Sequence, residues 1–333
     1  MGLVTAVSTE RRRRVGSLEV LLLALIGLAL SAGVVSAYVA GSPDLSTAAT
    51  VFCGVFVQAL PFLALGVVVS GLIAAFVDAD RLARSLPRRP VIAVAVAGIG
   101  GAALPGCECG SVPVARRLFG PGTSGAAALT FMLSAPAINP VVLVATAVAF
   151  PGQPAMVLAR CLASLGTAVV MGLLWSRFGR DAWVTRDLPA PAPDGSSRWT
   201  VFSEAARHDF LQAASYLVVG AAAAAALHVL VPAWVFEHLA GNLVVAVVTM
   251  ALLAVVLALC SEADAFVAAS LTMVPLVPRL VFLVVGPAVD VKLSAMQAGM
   301  FGRRFAMRFG PATFVVATVL GTLVGLAILG GAG

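Results

Sequence analysis

The chain has 333 residues, of which 61% are apolar and only 11% are Asp, Glu, Lys or Arg. A soluble domain carries roughly 25% charged residues, so 21 basic and 15 acidic side chains cannot coat two soluble domains of this combined length. That excludes an ordinary soluble enzyme, a disordered chain and a nucleic-acid binder. The formal charge of +6 instead reports arginines gathered on one side of a bilayer. Five cysteines, an odd number in a long chain, imply no disulfide framework.

Arg11–Arg14 precede an apolar run from Leu18 to Ala40. A secretory signal has an apolar core of about 7–15 residues, whereas this run of about 23 is long enough to span a bilayer. Val35-Ser36-Ala37 offers a cleavage site, but the length favours a retained helix, so residues 1–45 read as a cytoplasmic basic segment plus an extra transmembrane helix. Further apolar stretches cover 48–77, 91–105, 124–149, 154–176, 210–231, 243–259, 264–277, 281–301 and 310–331. Val91–Leu104 makes only about 21 Å of helix against a core of about 30 Å. It stops at Pro105-Gly106-Cys107-Glu108-Cys109-Gly110, which predicts a re-entrant hairpin with its tip inside the membrane. Residues 243–277, interrupted at Cys260-Ser261-Glu262-Ala263-Asp264, resemble it.

If each hairpin enters and leaves on the same side, 18 of the 21 basic residues fall on one face: Arg11–Arg14, the arginines of 81–89, Arg116 and Arg117, those of 177–207, and Arg303, Arg304 and Arg308. The positive-inside rule makes this face cytoplasmic, so the expected location is the cytoplasmic membrane with the N-terminus inside. Of the other three, Arg279 falls outside and Arg160 and Lys292 lie within spans, where Arg160 is expected to snorkel to the outer surface. Residues 177–209, with Pro189-Ala190-Pro191-Ala192-Pro193, form a cytoplasmic linker. On either side the chain repeats itself. Phe56-Val57-Gln58-Ala59 matches Phe210-Leu211-Gln212-Ala213, Cys107 aligns with Cys260, and Pro136-Ala137-Ile138-Asn139 aligns with Pro287-Ala288-Val289-Asp290, at offsets of 154, 153 and 151 residues. The arginine pattern runs the two copies in opposite directions. The expected fold is therefore an all-α polytopic membrane protein of two inverted repeats, 46–176 and 210–333, each with a broken or re-entrant hairpin. That is a transporter architecture with its site near the midplane.

Ionisable residues inside a membrane are expensive and mark function. Here they are Glu108, Glu262, Asp264, Asp290 and Lys292. One of these carboxyls is a candidate proton carrier. Cys107 and Cys109 flank Glu108, and with Cys260 of the second repeat they form a thiol set suited to a soft ion. Asn139, between Pro136 and Pro140, and its repeat-mate Asp290 are expected to face each other across the pseudo-twofold axis. Gln58 and Gln212 form a weaker polar pair. No ATP-binding, Ser-His-Asp or zinc motif is present in the sequence, so neither an enzyme nor a resident metal or cofactor is expected, with proton coupling the one addition.

Pro105 to Gly110 with Pro113 and Ala115, then Ala135-Pro136-Ala137-Ile138-Asn139-Pro140-Val141, resembles the first-half signature of the ArsP/YraQ-type predicted permeases. Cys260-Ser261 with Asp264-Ala265-Phe266, and Gly286-Pro287 with Asp290 and Lys292, resembles the second. The likeness covers roughly 48–330 and implies a permease; some members export trivalent organoarsenicals. The family's cysteine motif falls on Cys107, Cys109 and Cys260. Its residue between the paired cysteines is usually small and uncharged, whereas Glu108 stands here and favours a cationic or metal-like substrate, or a proton carrier. The expected function is thus secondary export of a soft, thiol-reactive solute such as a trivalent organoarsenical, bound by Cys107, Glu108, Cys109, Asn139, Cys260, Glu262, Asp264, Asp290 and Lys292. The alternatives are a permease for another small ion, and a membrane thiol oxidoreductase working through the three cysteines. The expected partners are the small-molecule or ion substrate and the lipid bilayer.

Overall fold

The computed structural model describes residues 41–76, 90–103, 108–119, 125–184, 197–230 and 242–330. The expected helix over 18–40, Cys107 and the proline-rich part of the linker lie outside these residues. The chain divides into residues 1–49 and 50–333. In the first unit the described residues begin a helix, with Thr47 Oγ1 donating to the carbonyl of Pro43. The rest concerns the second.

The described residues form twelve α-helices and two short 3-10 turns, with no strand. They are α1 (Pro43–Phe76), α2 (Pro90–Gly100), α3 (Glu108–Leu118), α4 (Gly125–Ile138), α5 (Pro140–Ala149) and α6 (Pro154–Phe178), then α7 (Arg198–Leu230), α8 (Leu243–Leu257), α9 (Ala263–Ser270), α10 (Leu276–Ala288), α11 (Val291–Met300) and α12 (Arg303–Ile328). One order occurs twice: a long helix, a short broken pair, a helix interrupted near its middle, and a closing long helix. Among the described residues five segments are long and apolar enough to cross a membrane: Pro43–Phe76, Gly125–Ala149, Pro154–Phe178, Arg198–Ala226 and Arg303–Ile328. Val91–Gly100 and Leu243–Leu257 are apolar but shorter. The chain is an all-α polytopic membrane protein.

Local chemistry explains the breaks. Pro140 offers no N–H and disfavours helical backbone at the residue before it, so Asn139 sits extended at φ −67°, ψ 154°. Its Oδ1 accepts from the N–H of Val142 at 3.0 Å and restarts the chain as α5. Asp290 is extended too, at φ −141°, ψ 174°, and its carboxylate accepts from the N–H of Leu293 to start α11. In the second hairpin Ala258 takes a left-handed conformation at φ 47° and ends α8.

Packing follows the same order in both halves. α4 packs on α6, α2 and α3, and α10 packs on α12, α8 and α9. The halves meet where α6 packs on α12 and α10, and in two crosswise contacts: α3 with α11, and α9 with α5. Their shared core includes Leu129, Met132, Met156, Leu217, Met250, Leu280 and Phe282. Val96, Ile99, Leu158, Leu211, Val219, Val244, Leu252, Val315 and Leu323 stay exposed. Apolar surface on this scale belongs in hydrocarbon rather than water. α7 begins at Arg198, twelve residues before the apolar stretch that marks it in the sequence, because Phe202 and Ala206 extend its inner face onto α1 at Gly71.

Candidate functional site

Three of the four short helices that follow a break carry an acid at or beside the first turn: Glu108 on α3, Glu262 and Asp264 at α9, and Asp290 at α11, whereas α5 starts from Asn139. Helix N-termini present unpaired N–H groups and a positive dipole end. In a medium without water this is one of the few places that tolerates a carboxylate. The acids are also brought together. Glu108 lies within electrostatic reach of Glu262, Asp264 and Asp290.

Two cations complete the cluster, one from each half. Lys292, on α11 and 1% exposed, forms an ion pair with Glu108 of α3. Its Nζ also stands 3.9 Å from Oδ2 of Asp290. Arg160, on α6 and fully buried, donates from Nη2 to Asp264 Oδ1 at 3.0 Å and to the carbonyl of Ser261 at 2.9 Å. Its Nη1 donates to Thr146 Oγ1 of α5 at 2.7 Å. Each half therefore supplies a cation to an acid of the other. Arg160 does not snorkel to the surface as the sequence suggested. Two charge-assisted partners and a hydroxyl within reach hold the guanidinium more cheaply than a route through lipid.

The thiols join the same group. Cys109 and Cys260 are both buried, and both lie within electrostatic reach of Lys292. Glu262 is near Cys260 and Arg160. Ser111 donates to the carbonyls of Glu108 and Met132 at 3.2 and 3.1 Å, which ties the first turn of α3 to α4. So Glu108, Cys109, Cys260, Glu262, Asp264, Asp290 and Lys292 are gathered together. Asn139 is spent on structure, with Oδ1 capping α5 and Nδ2 donating to the carbonyl of Ala135 at 2.9 Å. Gln58 is exposed, and Gln212 donates to the carbonyl of Gly299 at 2.9 Å. No group of three or more His, Cys, Asp or Glu side chains suited to a metal ion occurs among the described residues.

Arg160, Thr146 and Ser261 are site neighbours that sequence reasoning missed. A signal existed: an arginine in an apolar helix, followed by Ser164 and Thr167 on the same face. The periodicity marks an inward face but not the partner waiting there.

A second polar junction lies away from this cluster. Asp209 of α7 accepts from Ser70 Oγ of α1 at 2.7 Å, and from Arg117 of α3 through Nε at 3.1 Å and Nη2 at 3.3 Å. The adjacent Arg116 donates from Nε to the carbonyl of Met300 at 3.0 Å. α3 is thus held to the second half at both ends.

No solved structure matches the chain. Two curated relatives cover most of it. The UPF0718 protein YcgR of Bacillus subtilis (strain 168) is 34% identical over 278 residues, 81% of this chain and 94% of the relative. A Streptococcus mutans protein, named as the candidate subunit of a two-component membrane permease complex, is 30% identical over 284 residues, 83% of this chain and 94% of the relative. The profile of a family described as a predicted permease matches residues 44–326, a span that holds both broken hairpins and every member of the buried cluster. By this match over most of its length, the chain belongs to the ArsP-type predicted permease family.

Proposed function

We propose that this protein is a secondary permease whose two halves are inverted repeats, and that it exports a soft, thiol-reactive small solute such as a trivalent organoarsenical. The observation that carries the reading is the buried cluster, in which thiols and ion pairs from both halves meet at the starts of short helices. Charges this deep are retained for function more readily than for stability, because burying an ion pair recovers little of its desolvation cost. Cys107, Cys109 and Cys260 grip the soft centre of the solute. Glu108, Glu262, Asp264, Asp290 and Lys292 surround it, with Asn139 shaping the break beside them. The crosswise contacts of α3 with α11 and of α9 with α5 support a twofold relation between the halves, and access alternates as one half rocks on the other. The arginine-rich face is cytoplasmic. The Streptococcus mutans relative is named for a two-component complex, so a second membrane subunit is a possible companion and co-purification from membranes tests for one.

The test is flux in inside-out vesicles against a panel of methylated and aromatic trivalent arsenicals, metal ions and small oxyanions. Wild type is compared with Cys109→Ser, Cys260→Ser and Glu108→Gln. Each variant is expected to lower uptake of the transported solute at least tenfold with unchanged membrane insertion. If no solute on the panel moves, or if all three variants match wild type, the site is wrong.

A further inference from the structure

Lys292 is shared. It pairs with Glu108 of the first half, while Oδ2 of Asp290 in its own half stands 3.9 Å from Nζ, outside hydrogen-bond reach. That oxygen is buried and has no hydrogen-bond partner, whereas Oδ1 is committed to the N–H of Leu293. Asp290 is itself fully buried. One ammonium thus faces two carboxyls on opposite sides of the interface and pairs closely with only one of them. Around it stand Cys109 on α3, Cys260 and Glu262 at the start of α9, and Asp264 with its partner Arg160. Among the described residues this group holds four carboxyls and two cations, a formal surplus of two negative charges in a buried place.

We propose that this cluster takes up a small monovalent cation, a proton or a sodium ion, and that Lys292 is the tether it releases. When the cation joins Glu108, Lys292 loses its partner across the interface and turns to Asp290, whose Oδ2 already stands 3.9 Å away. The balance is simple. One cation enters: a proton forms an O–H bond on the Glu108 carboxylate, whereas a sodium ion is coordinated by it with no covalent change, and in either case the ammonium moves from Glu108 to Asp290. The consequence is mechanical, because Glu108 is the first residue of α3 and its ion pair is the cluster's link between α3 and α11. Loss of the pair loosens the N-terminal turn of α3 from α11, while Ser111 still ties it to α4 and Arg116 and Arg117 hold the far end. Gly220 fits this arrangement. A Cβ there would meet Lys292 Cα at 2.6 Å, so α7 leaves room for α11 only by lacking a side chain.

The inference rests on the permease reading but not on its solute. Backbone hydrogen exchange of residues 108–118, in full-length protein in lipid nanodiscs, is followed with pH varied at constant sodium and with sodium varied at constant pH. Rates are corrected for the intrinsic effect of pH, and α6 serves as the internal reference. Wild type is expected to exchange several-fold faster at α3 when the effective cation is supplied, and the arm that responds identifies proton or sodium. Lys292→Gln and the double variant Glu108→Gln with Lys292→Gln, which removes both charges together, should exchange fast without the cation and respond to neither arm. Lys292→Arg should keep the response. If wild type responds to neither cation, or if the double variant responds as wild type does, the tether is wrong. No transported solute is present, so that failure leaves the flux experiment untouched, and a failure to find a solute leaves the tether standing.

Discussion

Arg160 is the side chain whose removal has the most predictable cost. It is fully buried and answers Asp264, the carbonyl of Ser261 and Thr146 Oγ1. Arg160→Met would leave Asp264 buried without its cation, and breaking a buried pair from one side costs about 3–5 kcal/mol. The expected outcome is a large drop in the unfolding midpoint in mild detergent. The double variant Arg160→Met with Asp264→Leu should recover most of that loss, because no uncompensated charge remains. If the single variant is as stable as wild type, Arg160 is not the counter-ion. Asn139 is a milder case. Its side chain caps α5 and bonds the preceding helix, and loss of an N-cap costs about 1 kcal/mol. Asn139→Ala should lower stability, read from the unfolding midpoint, by about that amount, and Asn139→Asp by more, because it keeps the bond from Val142 but buries a carboxylate against the carbonyl of Ala135.

At the scale of elements, close helix approach depends on two glycines that the internal repeat aligns, Gly66 and Gly220. A Cβ on Gly66 would run into the backbone of Gly110 on α3. Forcing extra volume into a packed contact costs typically about 1–3 kcal/mol. Gly66→Ala should therefore lower the melting temperature, while Gly54→Ala on the same helix, where nothing lies within 4 Å, should leave it unchanged or raise it slightly. The Ser70–Asp209–Arg117 junction fastens α3 to α1 and α7. Asp209→Ala should loosen the C-terminal end of α3, seen as faster hydrogen exchange there with little change at Glu108. Equal acceleration along the whole of α3 would mean that its two ends are not held separately.

For the whole molecule the open quantity is sidedness. The linker holds Arg186 and the exposed Arg198. With the arginine-rich face inside, trypsin should cut between the halves in inside-out vesicles and leave the linker intact in right-side-out ones. The reverse pattern would turn the topology over. The halves share one order of helices, so cleaved halves are expected to stay associated through α6, α10 and α12, and to co-migrate in mild detergent.

Much of this was legible in one dimension. Low charge and long apolar runs dictate a membrane solvent, because hydrocarbon selects helices and tolerates few ions. The runs that stop at Pro105 and Cys260 announce broken hairpins, because about 14 and about 17 residues fall short of the core. The acids Glu108, Glu262, Asp264 and Asp290 stand out for the same reason, since each is costly where the pattern puts it. Pairing was not legible. Nothing in the sequence says that Lys292 answers Glu108 rather than its neighbour Asp290, or that Arg160 turns inward to Asp264, more than a hundred positions away. Those choices depend on how α3 and α11, and α9 and α5, cross between the halves. Periodicity reports which face of a helix is polar, and only the packed arrangement decides which opposite charge meets it.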